Sequence, residues 1–215
     1  MSFPFPTFSK VNVPVVVQRQ TFLNNDRATT TVLTWTAAKA GNLIVIEFVC
    51  EANGASPAAP AGYTLWPSGN VIDGGSARLG IFYKVAVGGE TGVTFTHGNN
   101  TVFTIMREIT GAVIAFVAPV VATSLNPDPP AITPAGGAKP YLFIAGCWAS
   151  TGAAPPISVS AYSAGYLNGV TVGGTVRAVL VASAQKIAAA ATENPGPLTL
   201  SSSLRNGAFV YAVRK

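Results

Sequence analysis

Short apolar runs, some alternating with polar residues and some continuous, recur along the whole chain, each stopped by Gly, Pro, Asn or Ser. The runs are rich in Val, Ile, Thr, Phe and Tyr, the residues that fit a pleated, half-buried surface. They predict strands over Val13–Gln20, Thr29–Thr36, Asn42–Cys50, Tyr63–Trp66, Ala77–Val87, Gly92–His97, Val102–Thr110, Val113–Val117, Tyr141–Trp148, Ile157–Ser160, Thr175–Ile187, Leu198–Ser202 and Ala208–Arg214. No stretch carries the apolar spacing of an amphipathic helix. The alanine-rich Ala182–Ala191 follows a β-branched run and reads as the end of a strand. So many turn-separated strands predict an all-β protein, an antiparallel β-sandwich of jelly-roll-like type, rather than βαβ units. Asn53-Gly54 and Asn206-Gly207 fit tight hairpin turns, because both residue types tolerate positive φ. Gly88-Gly89 and His97-Gly98-Asn99-Asn100 also read as turns.

A Pro/Gly-rich stretch from Asn126 to Gly137 divides the chain near its middle. The order of runs on its two sides is the same. Gly41–Ile46 matches Lys139–Ile144, Ala77–Lys84 matches Val176–Val181, Val93–Thr96 matches Leu198–Ser201, and the run ending at Arg107 matches the run ending at Arg214. A pseudo-duplication is therefore expected, with halves of about residues 14–125 and 138–215 giving equivalent strands to one sandwich or to two. The 215 residues suffice for a single large all-β domain over 14–215. Residues 1–13 form an arm of another character, with Phe3, Phe5 and Phe8 interleaved with Pro4 and Pro6. Proline disfavours both helix and ladder, so the arm is expected to be an extended apolar segment that docks on a neighbour through its phenylalanines.

Only 10% of residues are charged, against about 25% in average soluble domains. That deficit suggests a surface covered by other subunits. A membrane-spanning helix is not expected, because Glu47 and Pro119 break the longest apolar stretches. The N-terminus has neither a basic start nor an apolar core, so no secretion signal is expected. The net charge is +5, but the basic residues are scattered singly apart from Arg214-Lys215. Dispersed charge makes no continuous phosphate track, and no specific nucleic-acid binding is expected. Cys50 and Cys147 both lie in apolar runs, as two buried thiols or as one disulfide.

No catalytic set emerges. His97 is the single histidine and reads as a surface turn residue, with too few ligands around it for zinc. There is no Gly-x-Ser-x-Gly elbow. Val87–Gly92 lacks the Lys-Ser/Thr of a phosphate loop. Glu47 and Glu51 are the best carboxylate pair, since residues four apart share a strand face, but Glu51 falls at a strand end where an exposed acid is ordinary. No enzyme activity, metal or cofactor is expected. Trp66, Tyr162 and Tyr166 flank loops and are the candidates for stacking on sugar rings.

Gly41–Ile46, the loop Pro60–Leu65, the strand Leu79–Ala86, and Glu90 followed by Val93–Thr96 form an ordered set. It resembles β-sandwich virion structural proteins of tailed bacteriophages, of the fibre-like and head-decorating kinds. The resemblance is clearest from Ala40 to Gly111. It implies a virion protein, a capsid decoration or head-fibre subunit, partnered by major capsid or tail proteins. A homo-oligomer would follow, and a trimer would suit a three-fold capsid position or a fibre axis. The alternative is a tail-fibre or receptor-binding module that holds host glycans. The motifs of the resemblance are structural, so it implies no active-site residue.

Overall fold

The computed structural model describes residues 12–24, 26–51, 55–73, 77–98, 100–150, 159–162, 165–173, 179–202 and 204–215. Phe3, Phe5 and Phe8 of the arm lie outside the described residues, as does the Asn53-Gly54 turn. In chain order the strands are β1 (Val16–Asn24), β2 (Thr30–Thr34), β3 (Leu43–Glu51), β4 (Thr64–Asp73), β5 (Ala77–Val85), β6 (Gly92–Thr96), β7 (Val102–Ile109), β8 (Val113–Phe116), β9 (Val120–Ser124), β10 (Lys139–Ser150), β11 (Val159–Ala161), β12 (Leu167–Gly173), β13 (Val179–Ala190), β14 (Thr199–Leu200) and β15 (Leu204–Arg214). The described chain is all β and folds as packed antiparallel sheets, the sandwich that the residue pattern predicts.

One sheet has the order β1-β7-β3-β5-β4, and the other, read from the opposite edge, β8-β15-β10-β13-β12, with β9 also paired to β15. Each sheet is built from one contiguous part of the chain rather than from strands that alternate between sheets. The change of sheet falls between β7 and β8, upstream of the Pro/Gly-rich stretch. In both sheets the strand nearest the C-terminus of its part lies beside the middle strand, β7 beside β3 and β15 beside β10.

Strand alternation sends two sets of side chains to opposite faces. Leu43, Val45 and Val49 of β3, Phe103 and Ile105 of β7, Leu142, Ile144 and Trp148 of β10, and Phe209 and Val213 of β15 share one core between the sheets. The intervening residues face outward and are buried as well. Ile44, Ile46, Phe48 and Cys50 lie under the two-stranded pair β2–β6, against Leu33, Trp35 and Phe95. On the far side, Tyr141, Phe143 and Cys147 lie under Ile132, Tyr166, Leu198 and Leu200. The molecule thus has four layers, and β3 and β7 are buried along their whole length. Two covered faces per sheet account for the low charge within a single copy, because central strands have no solvent face on which to place polar residues.

The observed fold differs from the strand pattern at specific points. Asn206 and Gly207 are not a turn but lie inside β15, opposite Ala149 and Trp148 of β10. A Cβ at Gly207 would collide with the Trp148 ring, so this glycine serves close packing rather than a reversal. The matched runs Gly41–Ile46 and Lys139–Ile144 are out of phase by one residue, since Ile44 faces the outer layer and Leu142 the inter-sheet core. The matched arginines also diverge: Arg107 is buried between the sheets, whereas Arg214 lies half-exposed at the rim.

Candidate functional site

The core between the sheets is apolar except at its centre. Glu47 of β3 takes the inward position between Val45 and Val49, and Arg107 of β7 takes the inward position between Ile105 and Ile109. Across the sandwich, Ser183 of β13 and Tyr211 of β15 face them. All four are sealed from solvent, none more than 1% exposed.

The four side chains bond to one another, with the buried Arg107 Nε alone left without a partner. Arg107 Nη1 pairs with Glu47 Oε1 at 2.5 Å, and Arg107 Nη2 donates to Ser183 Oγ at 2.8 Å. Ser183 donates to Glu47 Oε2 at 2.6 Å, and the Tyr211 hydroxyl donates to Glu47 Oε1 at 2.8 Å. Both carboxylate oxygens are thus used. Burial acts to lower the Arg107 guanidinium, but the Glu47 charge overcomes it and pushes the group above its ordinary value. Burial, reinforced by Glu47, pushes the Tyr211 phenol well up, which keeps it a donor. Gly146 of β10, beside Ser183 and Phe209 in register, leaves room for the cluster. A Cβ there would lie 2.5 Å from Phe209 Cζ and 2.7 Å from Ser183 Cβ.

This arrangement can fasten two sheets in one register. It offers a substrate no route in, and the Glu47 carboxylate is already saturated by donors. Glu51, the other member of the carboxylate pair, is not an exposed strand-end acid: it is 3% exposed and pairs with Arg27 at 3.5 Å. His97 is likewise buried rather than a surface turn residue. Its Nδ1 donates to the Gly98 carbonyl at 2.6 Å, and its Nε2 meets the Thr31 hydroxyl at 2.8 Å. Both ring nitrogens are therefore engaged in holding the β2 end in place.

Two further carboxylates act on backbone. Glu90 accepts from the Val87 and Gly88 amides at 2.8 and 2.9 Å and pairs with Lys84 at 3.0 Å. Partial burial opposes its ionisation, but these bonds outweigh it and bring the carboxyl down to about 2. Glu108, on the outer face of β7, accepts from Gln18 Nε2, the Lys39 amide and Asn42 Nδ2, which pins the loop that leads into β3.

Cys50 and Cys147 are free and buried. They face opposite outer layers with both sheets between them, which rules out a bridge. Burial pushes both thiols up to about 12. Among the described residues no group of three or more His, Cys, Asp or Glu could hold a metal ion, and no helix is long and apolar enough to cross a membrane.

The structure separates Trp66, against the inter-sheet core, from Tyr162 and Tyr166, which pack in one outer cluster of the second sheet. Trp66 stacks on Phe116 at 4.4 Å between ring centroids and closes the β4–β8 side of the sandwich. Tyr162 is half-buried, and its hydroxyl bonds the Val170 carbonyl and Thr171. Tyr166 is buried under Lys186, whose Nζ lies 5.7 Å from the ring centroid.

Of the central cluster, sequence reasoning weighed only Glu47 as a functional candidate, in a carboxylate pair that it set aside as non-catalytic. A usable signal was present. Glu47 and Arg107 are opposite charges, each set in a long apolar run, and a charge inside a doubly covered strand needs a buried partner. Ser183 carries no such signal. Comparison with protein-family models, with curated proteins and with solved structures finds no match to this chain.

Proposed function

We propose that this chain is a structural protein of a tailed-bacteriophage particle, a capsid-decoration or head-fibre subunit that works by packing rather than by chemistry on a substrate. The observation that carries the structural role is the central cluster. Glu47, Arg107, Ser183 and Tyr211, the strongest polar constellation among the described residues, are closed to solvent and spent on joining the two sheets. Placement on a particle rests on the resemblance carried by Gly41–Ile46, Pro60–Leu65, Leu79–Ala86 and Glu90–Thr96. The Met1–Val13 arm supplies the apolar contact in this reading, through Phe3, Phe5 and Phe8.

The test is immunogold labelling of purified particles with an antibody to this chain, repeated with the chain lacking residues 1–13. Label over the head, lost on truncation while the truncated protein stays folded, is the expected result. Label on tail fibres would move the protein to the receptor-binding alternative. An absence of label on any particle would overturn the virion reading.

A further inference from the structure

The two parts of the chain share a strand order, so each has a corner where its edge strand, its last strand and the loop before its central strand meet. In the first part these are β1, β7 and the loop before Leu43. That corner is occupied by the molecule's own carboxylate, Glu108, which takes up donors from β1 and from the loop at 2.6 Å from Gln18 Nε2 and 2.9 Å from the Lys39 amide. In the second part they are β8, β15 and the loop before Lys139. Here the outward position of β15 carries Arg214, a cation, and no carboxylate of the described residues fills the corner.

A cavity of about 100 Å³ stands in its place, lined by Ile114, Ala115, Pro134, Gly136, Tyr141 and Arg214 among others. Its walls are apolar apart from two donors. The Tyr141 side chain is 1% exposed, and its buried hydroxyl has no hydrogen-bond partner. Such a group is costly to leave unpaired. Arg214 has no acidic partner among the described residues. Gly136 brings the two donors to one point: a Cβ added there would collide with the Tyr141 hydroxyl and lie 3.4 Å from Arg214 Nε. An aromatic hydroxyl and a guanidinium converging at the end of an apolar pocket match a carboxylate on a short aliphatic stem.

We propose that this pocket binds a small aliphatic carboxylate, which completes the second corner as Glu108 completes the first. The carboxylate accepts from the Tyr141 hydroxyl and pairs with Arg214, and its stem lies against Ile114, Ala115 and Pro134. The cavity admits a group the size of propionate or of a glutamate side chain. The inference stands apart from the virion reading, because it needs no particle.

The experiment titrates the full chain with propionate and with propionamide, its neutral isostere, and follows the methyl resonances of Ala115 and Ala212. Saturable shifts with propionate and none with propionamide are expected. Tyr141→Phe and Arg214→Gln should each weaken binding about tenfold or more. Tyr141→Phe should leave the unliganded protein as stable as before or more so, since it removes an unpaired buried hydroxyl, an outcome that a purely structural hydroxyl would not give. A blocked Ala-Glu-Ala peptide that binds more tightly than propionate would identify the ligand as an acidic side chain of a partner protein, and the reverse order would identify a free acid. No saturation with either carboxylate, an equal response to propionamide, or unchanged affinity in both variants would overturn the proposal.

Discussion

The outer face of the first sheet lies under β2–β6, five residue pairs in unbroken register from Thr30–Thr96 to Thr34–Gly92. The outer face of the second lies under residues 125–132 running against 193–200. Here the backbone bonds include Leu200 to Leu125, Leu198 to Pro127 and the reciprocal pair Ile132–Glu193. Pro127, Pro129, Pro130, Pro195 and Pro197 punctuate this second cover, and none of them can donate to a ladder. Both covers hide comparable apolar rows, one by continuous hydrogen bonding and the other by stiff extended chain whose unfolded state has less entropy to lose. A sheet face can therefore be closed with only a short, irregular ladder, here β11–β14, provided that the rest of the covering chain is already extended. The inner faces differ too. The first sheet brings the two charges of the central cluster, and the second brings the hydroxyls that bond to them.

The largest effect is expected where the two sheets join. Arg107→Leu leaves Glu47 as an unpaired charge in the core and should cost about 3–5 kcal/mol in urea unfolding. Glu47→Leu combined with Arg107→Leu should recover a substantial part of that loss, because no charge is then left buried. A double variant no more stable than the single one would show that the ion pair is not what the sheets depend on.

A smaller, pH-dependent effect should distinguish the first cover. Glu90 caps the turn that follows β5, and its main-chain carbonyl accepts from Ala38 beside β2. Its carboxyl lies at about 2 in the folded state, below the ordinary 4.5. A folded-state value below the unfolded one contributes stability that is complete above the unfolded value and disappears as pH falls through the folded one. The wild type should therefore exceed Glu90→Gln by roughly 1.5 kcal/mol at neutral pH. The gap should close between about pH 4.5 and 2. A gap that persists at pH 2 would assign the effect to amide packing rather than to charge.

The smallest perturbation compares the covers directly. Each hides one thiol, Cys50 under the first and Cys147 under the second. With both thiols pushed up to about 12 by burial, alkylation near neutral pH needs the cover to open. Cys147 should react faster than Cys50 when the two peptides are followed separately by mass spectrometry. Equal rates, or a faster Cys50, would mean that the proline-stiffened cover is as tight as the laddered one.

Much of the fold was legible because strand-forming residues and breakers alternate so regularly. The long runs at β3, β7, β10 and β13 were read at nearly their observed positions, and the Ala-rich end of β13 was correctly read as strand. Two strands were missed for local reasons. β9 follows Pro119 and is mostly exposed, and β12 carries internal Gly and an Asn168 with φ of +53°. Asn206-Gly207 misled because the pair has two uses, a reversal or a gap for an indole, and only the position of Trp148 separates them. The central cluster was half legible. Charges within apolar runs announce a buried pair, but which strands bring Ser183 and Tyr211 opposite them is a property of topology that no local pattern carries.

Because each sheet is drawn from one contiguous part of the chain, ribosomal synthesis delivers all the strands of the first sheet before Ser183 and Tyr211 have been made. In that unfinished molecule the inner face of β3 and β7 is a broad apolar surface with one hydrated ion pair at its middle. The same Glu47 and Arg107 that are costly to dehydrate in the finished protein would still be hydrated there, and charges within an apolar strand disfavour aggregation. The last strand to emerge, β15, brings the tyrosine that completes the cluster.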